Sequence, residues 1–155
     1  YDESLAKSFR RAAKREEIEM RRGTYMWFSG PQFETPAEIR KYRIQGADLV
    51  GMTLIPEAFL ARELEMCYAP LCYLTNYAEG VVDREFKTAT LFEGMQSADE
   101  QATVEDTIAK FPAVLAQCLA QLMEGERACH CGQAMQRYRD KGMIGDDWKT
   151  WLGPA

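Results

Sequence analysis

The sequence lacks any long apolar run. No stretch approaches the roughly 18 uninterrupted apolar residues that a membrane span needs, and the opening residues Asp2, Glu3, Lys7, Arg10 and Arg11 are charged. Neither a membrane partner nor a signal peptide is expected, and a cytoplasmic location follows. An excess of positive charge is also missing: 19 Lys and Arg stand against 24 Asp and Glu, a net charge of −5. That balance gives no electrostatic reason to bind nucleic acid and leaves a small molecule as the better partner. Basic residues do gather between Lys7 and Arg22, but Glu3, Glu16, Glu17 and Glu19 are interleaved with them, as on a solvated helix face. Histidine is scarce, with His130 alone, and cysteine is odd in number at five, which argues against a secreted disulfide framework and fits a reducing compartment. Cys129-His130-Cys131 offers three metal donors with no second pair in view, so no metal site is expected.

What is present suits one globular domain with a real core: 155 residues, 46% hydrophobic and 28% charged. The chain opens at Tyr1 without an initiator Met and directly into a helix-like segment, which suggests that an upstream part has been removed. Residues 3–20 lack Gly and Pro and favour a helix with Leu5, Phe9, Ala12 and Ala13 inward, ended by Gly23. Thr24 to Phe28 reads as a buried strand. Thr35-Pro36-Ala37-Glu38 is a helix start, with Thr as the cap, Pro in the first position and Glu in the third. That helix runs to about Gln45, and Gly46 supplies a left-handed stop.

A second strand spans Ala47 to Met52. Pro56 opens another helix with Phe59, Leu60 and Leu64 inward, and Leu71 to Thr75 forms a third strand. Residues 79–100 read as a loop. From Thr103, the apolar positions Val104, Ile108, Phe111, Leu115, Leu119 and Leu122 mark a long amphipathic helix that Pro112 kinks. After Gly125 the chain is a polar tail, bound to a neighbour or partly mobile.

Strands alternating with helices make an α/β architecture, in which ligands bind beyond the carboxyl ends of the strands. Those ends carry an aromatic face (Phe33), a carboxylate (Glu34), a thioether (Met52), a hydroxyl (Thr53) and a carboxamide (Asn76). Such a set matches a purine and its sugar: an apolar surface for the π-face and a few placed polar groups for the edge. Phe33 and Met52 also suit plain core positions. Glu34 and Asn76 are harder to read that way, since polar groups at the ends of buried strands need partners.

The run Gly30-Pro31-Gln32-Phe33-Glu34-Thr35-Pro36-Ala37-Glu38-Ile39, followed by Gly46-Ala47-Asp48-Leu49-Val50-Gly51-Met52-Thr53, Pro56-Glu57, Leu60-Ala61-Arg62-Glu63 and Thr75-Asn76, resembles the trimeric purine nucleoside and methylthioadenosine phosphorylases. The resemblance is strongest over residues 23–80 and fades in the tail. It implies the C-terminal half of the nucleoside phosphorylase fold, a mixed central sheet flanked by helices. Residues 1–125 would then be part of a single domain, 126–155 a tail, and the N-terminal half absent.

The activity implied is phosphorolysis of a purine nucleoside in a homotrimer or with the missing half, with inorganic phosphate as co-substrate and no cofactor. Phe33 would stack on the base, Glu34 accept from its N1–H, Met52 pack under the ribose and Thr53 donate to phosphate. Asn76 would be catalytic, holding N7 and O6 as the departing purine gathers negative charge. The adenine-specific branch has Asp at this position. An exocyclic amine wants an acceptor and O6 wants a donor, so Asn76 points to inosine, guanosine or methylthioinosine. Methylthioadenosine phosphorolysis, or a silent purine-binding fragment, is the alternative. Val104 and Ile108 would border the 5′ position, where apolar groups suit a methylthio substituent. Cys-x-Cys also occurs near the C-terminus of some relatives, where it can be redox-active.

Overall fold

The computed structural model describes residues 1–83, 97–123, 127 and 129–151. Helix α1 covers Glu3–Arg15, strand β1 Tyr25–Trp27, α2 Pro36–Ile44, β2 Leu49–Gly51, α3 Leu54–Glu63, α4 Ala98–Met123 and α5 Gln136–Asp140. Short 3-10 turns lie at Cys131–Gln133 and Trp148–Thr150. The part of the expected loop that falls in 84–96, and Gly125, lie outside the described residues.

β1 and β2 pair in parallel, with Tyr25 opposite Leu49 and Trp27 opposite Gly51. Parallel neighbours need a crossover, and α2 provides it. Its start is the expected capping box: Thr35 Oγ1 accepts from the Glu38 N–H, and the Glu38 carboxylate accepts from the Thr35 N–H at 2.8 Å. Those bonds from Thr35 hold the Glu38 carboxyl below its ordinary range. Gly46 ends α2 at φ +86°, while the Ala47 N–H reaches the Tyr42 carbonyl at 3.0 Å.

α1 is shorter than expected, and Gly23 does not end it. The stop is Glu17, at φ 56°, with the Ile18 N–H bonded to the Ala13 carbonyl at 2.9 Å and the Glu17 N–H to Lys14 at 3.3 Å. α3 closes in the same way around Glu65 at φ 57°, with Met66 bonded back to Ala61 at 2.8 Å. A Cβ disfavours this conformation, so a Glu there is held by its surroundings. For Glu65 the holder is evident: Arg139 of α5 grips its carboxylate through both terminal nitrogens, at 2.8 and 2.5 Å, and keeps the carboxyl below its usual range. The Met135 N–H adds a third bond at 2.9 Å. The described part of the tail therefore folds back onto the end of α3, and Trp151 packs its ring 5.5 Å from the Arg139 guanidinium.

The core lies where α1 crosses α4. Ala12, Val114 and Cys118 are buried, with Phe9, Ile18 and Leu71 packed against them. Two adjacent alanines, Ala12 and Ala13, bring the helices close. α4 begins five residues before Thr103, and its buried line runs through Val114 and Cys118, one position away from Leu115 and Leu119, which are exposed. On α3 the inward residues are Leu54 and Ala61, while Phe59 and Leu60 are 63% and 58% exposed and Leu64 is also exposed. Residues 71–75 form no ladder with any described strand, and Tyr73 instead packs edge-on against Phe111 of α4 with centroids 5.7 Å apart. An apolar run reports a preference for burial, and a strand also needs a neighbour with unspent backbone bonds.

Candidate functional site

The site is laid out by the β1–α2–β2 unit. Beyond β1 the chain turns at Gly30, φ +57°, before a cis Gly30–Pro31 bond and the Phe33-Glu34 pair that leads into α2. Beyond β2, the Met52 carbonyl accepts from Trp27 Nε1 at 2.7 Å, which ties the two strand ends together. A Cβ on Gly30 would stand 2.7 Å from Met52 Sδ, so only glycine lets the thioether close on this turn.

Ser29, Gly30, Gln32, Phe33, Glu34 and Tyr42 are among the residues lining an open depression of about 220 Å³. Phe33 is 58% exposed and lines this depression, which sets it apart from a core residue. Glu34 Oε1 is buried and has no hydrogen-bond partner. A buried acceptor without a donor is costly, roughly 1–3 kcal/mol, unless a ligand supplies the missing N–H. A wider hollow of about 410 Å³ between Arg40, Arg43 and Ile44 is formed by three exposed side chains of α2 and presents neither an aromatic ring nor an acid.

The sequence-derived residues divide into two sets. Phe33 and Glu34 line the depression with Gly30, and Met52 closes on the Gly30 turn without being among the lining residues. Thr53 caps α3 by position, yet its exposed hydroxyl makes no capping hydrogen bond. Asn76 is exposed and locally engaged: its Oδ1 accepts from Thr75 Oγ1 at 2.7 Å, and one of its N–H groups goes to the Tyr77 carbonyl at 2.9 Å. Its segment does approach the site's frame, because a Cβ on Gly80 would meet Pro36 Cβ at 2.8 Å, two residues from Glu34. Asn76 is not among the residues that line the depression. Val104 is half-buried and Ile108 44% exposed, both in the first half of α4, ahead of its contact with α1 through Val114 and Cys118.

A second cluster went unseen in the sequence. Asp2, Cys67, Cys129 and Cys131 bring one donor atom each to within 4.8 Å of one another. The expectation of only three local donors is revised in both directions: His130 is exposed and outside the cluster, while Asp2 and Cys67 come in from distant stretches. None of the five cysteines is in a disulfide. Burial, then the Cys129 contact, pushes the Cys67 thiol up to about 12, whereas Arg127 beside Cys129 lowers that thiol.

A parallel pair with a crossover helix, and an aromatic ring, a carboxylate and a thioether at its carboxyl end, is an α/β ligand-binding frame. The chain belongs to the family described as the Phosphorylase superfamily, whose sequence model matches residues 1–122. It is 46% identical over 115 residues to a protein of Pyrococcus furiosus named 6-oxopurine nucleoside phosphorylase, a match that covers 74% of this chain and 40% of that protein. It is 43% identical over 112 residues to a probable S-methyl-5′-thioinosine phosphorylase of Methanopyrus kandleri, covering 72% and 40%. The chain thus spans about 40% of the length of the curated relatives it matches. Its backbone resembles that of a mutant adenosine/methylthioadenosine phosphorylase of Schistosoma mansoni in complex with adenine, with a TM-score of 0.64 at 20% identity over 89% of this chain and 52% of the other. The fold is therefore that of the nucleoside phosphorylases. No described helix is long and apolar enough to cross a membrane.

Proposed function

We propose that this chain belongs to an enzyme that cleaves the N-glycosidic bond of 6-oxopurine nucleosides with inorganic phosphate, giving free base and ribose 1-phosphate or its methylthio analogue. The observation that carries this reading is the buried, unpartnered Glu34 Oε1 in a depression that Phe33 also lines. A 6-oxopurine carries an N1–H donor next to O6, and it meets that oxygen while its ring lies on the aromatic face. Met52, closed on Gly30, supplies the apolar surface for the ribose. The Thr53 hydroxyl, unused by the cap, is a donor for a phosphate oxygen at the start of α3, where the helix dipole favours an anion. Asn76 donates an N–H to the departing base once its segment turns inward, and Val104 and Ile108 border the 5′ substituent.

The relatives named for 6-oxopurine and for methylthioinosine substrates support the base preference. Phe59, Leu60 and Leu119 leave apolar area uncovered on α3 and α4, as a chain does when further protein completes it. A homotrimer, or the remainder of the fold, fills that role.

Inosine and methylthioinosine incubated with the full-length protein are expected to release hypoxanthine only when phosphate is present. Equal release without phosphate would show hydrolysis and rule out this reaction.

A further inference from the structure

The four-residue cluster takes no part in the purine reading. We propose that Asp2, Cys67, Cys129 and Cys131 form a closed zinc site that pins the tail to the body of the fold. Tetrahedral zinc, with ligand bonds of about 2.0–2.3 Å, sets its donor atoms roughly 3.5–3.8 Å apart. Here Cys67 Sγ lies 3.2 Å from Cys129 Sγ and Cys131 Sγ lies 3.5 Å from Asp2 Oδ2, and all four donors fall within 4.8 Å of one another. Small side-chain adjustments close that arrangement around an ion.

The donors are also oriented. Asp2 is only 5% exposed, and its Oδ1 is fixed by the Leu5 N–H at 2.8 Å, which turns Oδ2 to the thiols. Such an outer hydrogen bond is the usual support of a metal-bound carboxylate. The Asp2 N–H donates to the Tyr68 carbonyl at 2.8 Å, so the start of α1 is bonded to the residue after Cys67. Cys131 begins a 3-10 turn in which the Gln133 N–H reaches the His130 carbonyl at 3.0 Å, a tight return that brings Cys129 and Cys131 to the same place.

Three sulfur donors select zinc over magnesium or calcium, which take oxygen. Three thiolates and a carboxylate exceed the charge of Zn²⁺ by two, and the nearby Arg127 guanidinium offsets one of these. With four protein ligands no position is left for water, so the role is structural. A Cys67–Cys129 disulfide would use two of the four donors and leave the convergence of Asp2 and Cys131 without a cause.

The test uses the full chain, reduced, loaded with zinc and freed of excess metal. About one zinc per chain is expected. Under native conditions Cys72 is the thiol that reacts with a thiol reagent. Chelation then exposes Cys67, Cys129 and Cys131, while the buried Cys118 reacts only on unfolding. Cys72→Ser keeps the metal, and Cys131→Ser weakens zinc binding by about tenfold or more. Cobalt gives a thiolate charge-transfer band in the wild type, which Cys131→Ser diminishes. The proposal is overturned if the reduced chain binds only trace zinc, if thiol reactivity is the same with and without chelator, or if a Cys67→Ser, Cys131→Ser double variant binds zinc as the wild type does.

Discussion

Asn76→Asp is expected to move the preference between inosine and adenosine by about 10²–10⁴-fold towards adenosine. The size follows from donor and acceptor matching. A carboxylate in place of the carboxamide faces O6 of hypoxanthine with no N–H to give, and an unpaired buried group costs roughly 1–3 kcal/mol. Adenine gains what hypoxanthine loses, because its exocyclic amine meets an acceptor, so the two changes multiply in the ratio. The measurement is kcat/KM for both nucleosides with phosphate. Asn76 is exposed and loses only its bond to the Tyr77 carbonyl, so the variant should fold as the wild type does, within about 0.5 kcal/mol. A substitution that leaves the ratio unmoved would remove Asn76 from its role.

Glu34→Gln is expected to lower kcat/KM for inosine by about 10²-fold, close to the 1.5–3 kcal/mol that a hydrogen bond to a charged acceptor contributes. Gln keeps the shape but offers an amide where the base needs an acceptor with full charge. The companion expectation concerns stability. Because Glu34 Oε1 is buried without a partner in the protein, the carboxylate gives nothing to the fold through that oxygen, and the variant should unfold at the same denaturant concentration as the wild type or a higher one. A loss of stability together with unchanged kcat/KM would mark Glu34 as structural. Removing a group that waits for a ligand costs activity and spares stability, and removing a core polar group does the reverse.

What could be read from the sequence was local. The cap at Thr35 and Glu38 and the stop at Gly46 depend on residues a few positions apart, and both are present as expected. The strand ends that carry Phe33, Glu34 and Met52 were legible because a βαβ unit has one way to lay them out. The stops at Glu17 and Glu65 were not, since glutamate has no preference for a left-handed backbone, and at Glu65 the holding group is Arg139, 74 residues further on. The apolar positions of α3 and α4 correctly signalled helices but not which face meets this chain: Phe59, Leu60 and Leu119 satisfy a helical period while facing outward. For residues 71–75, apolarity pointed to a strand, and no described strand pairs with them. The cysteine cluster escaped because Cys67 and Cys129 are 62 positions apart, and Asp2 reads in the sequence only as one of the charged opening residues.

The most direct test of the central claim is a crystal structure of the full-length protein with hypoxanthine and phosphate. The base is predicted to lie on Phe33 with its ring N–H within hydrogen-bond distance of Glu34 Oε1, and phosphate to lie beside Thr53. Hypoxanthine bound elsewhere, with the Glu34 oxygen still unpartnered, would contradict the assignment.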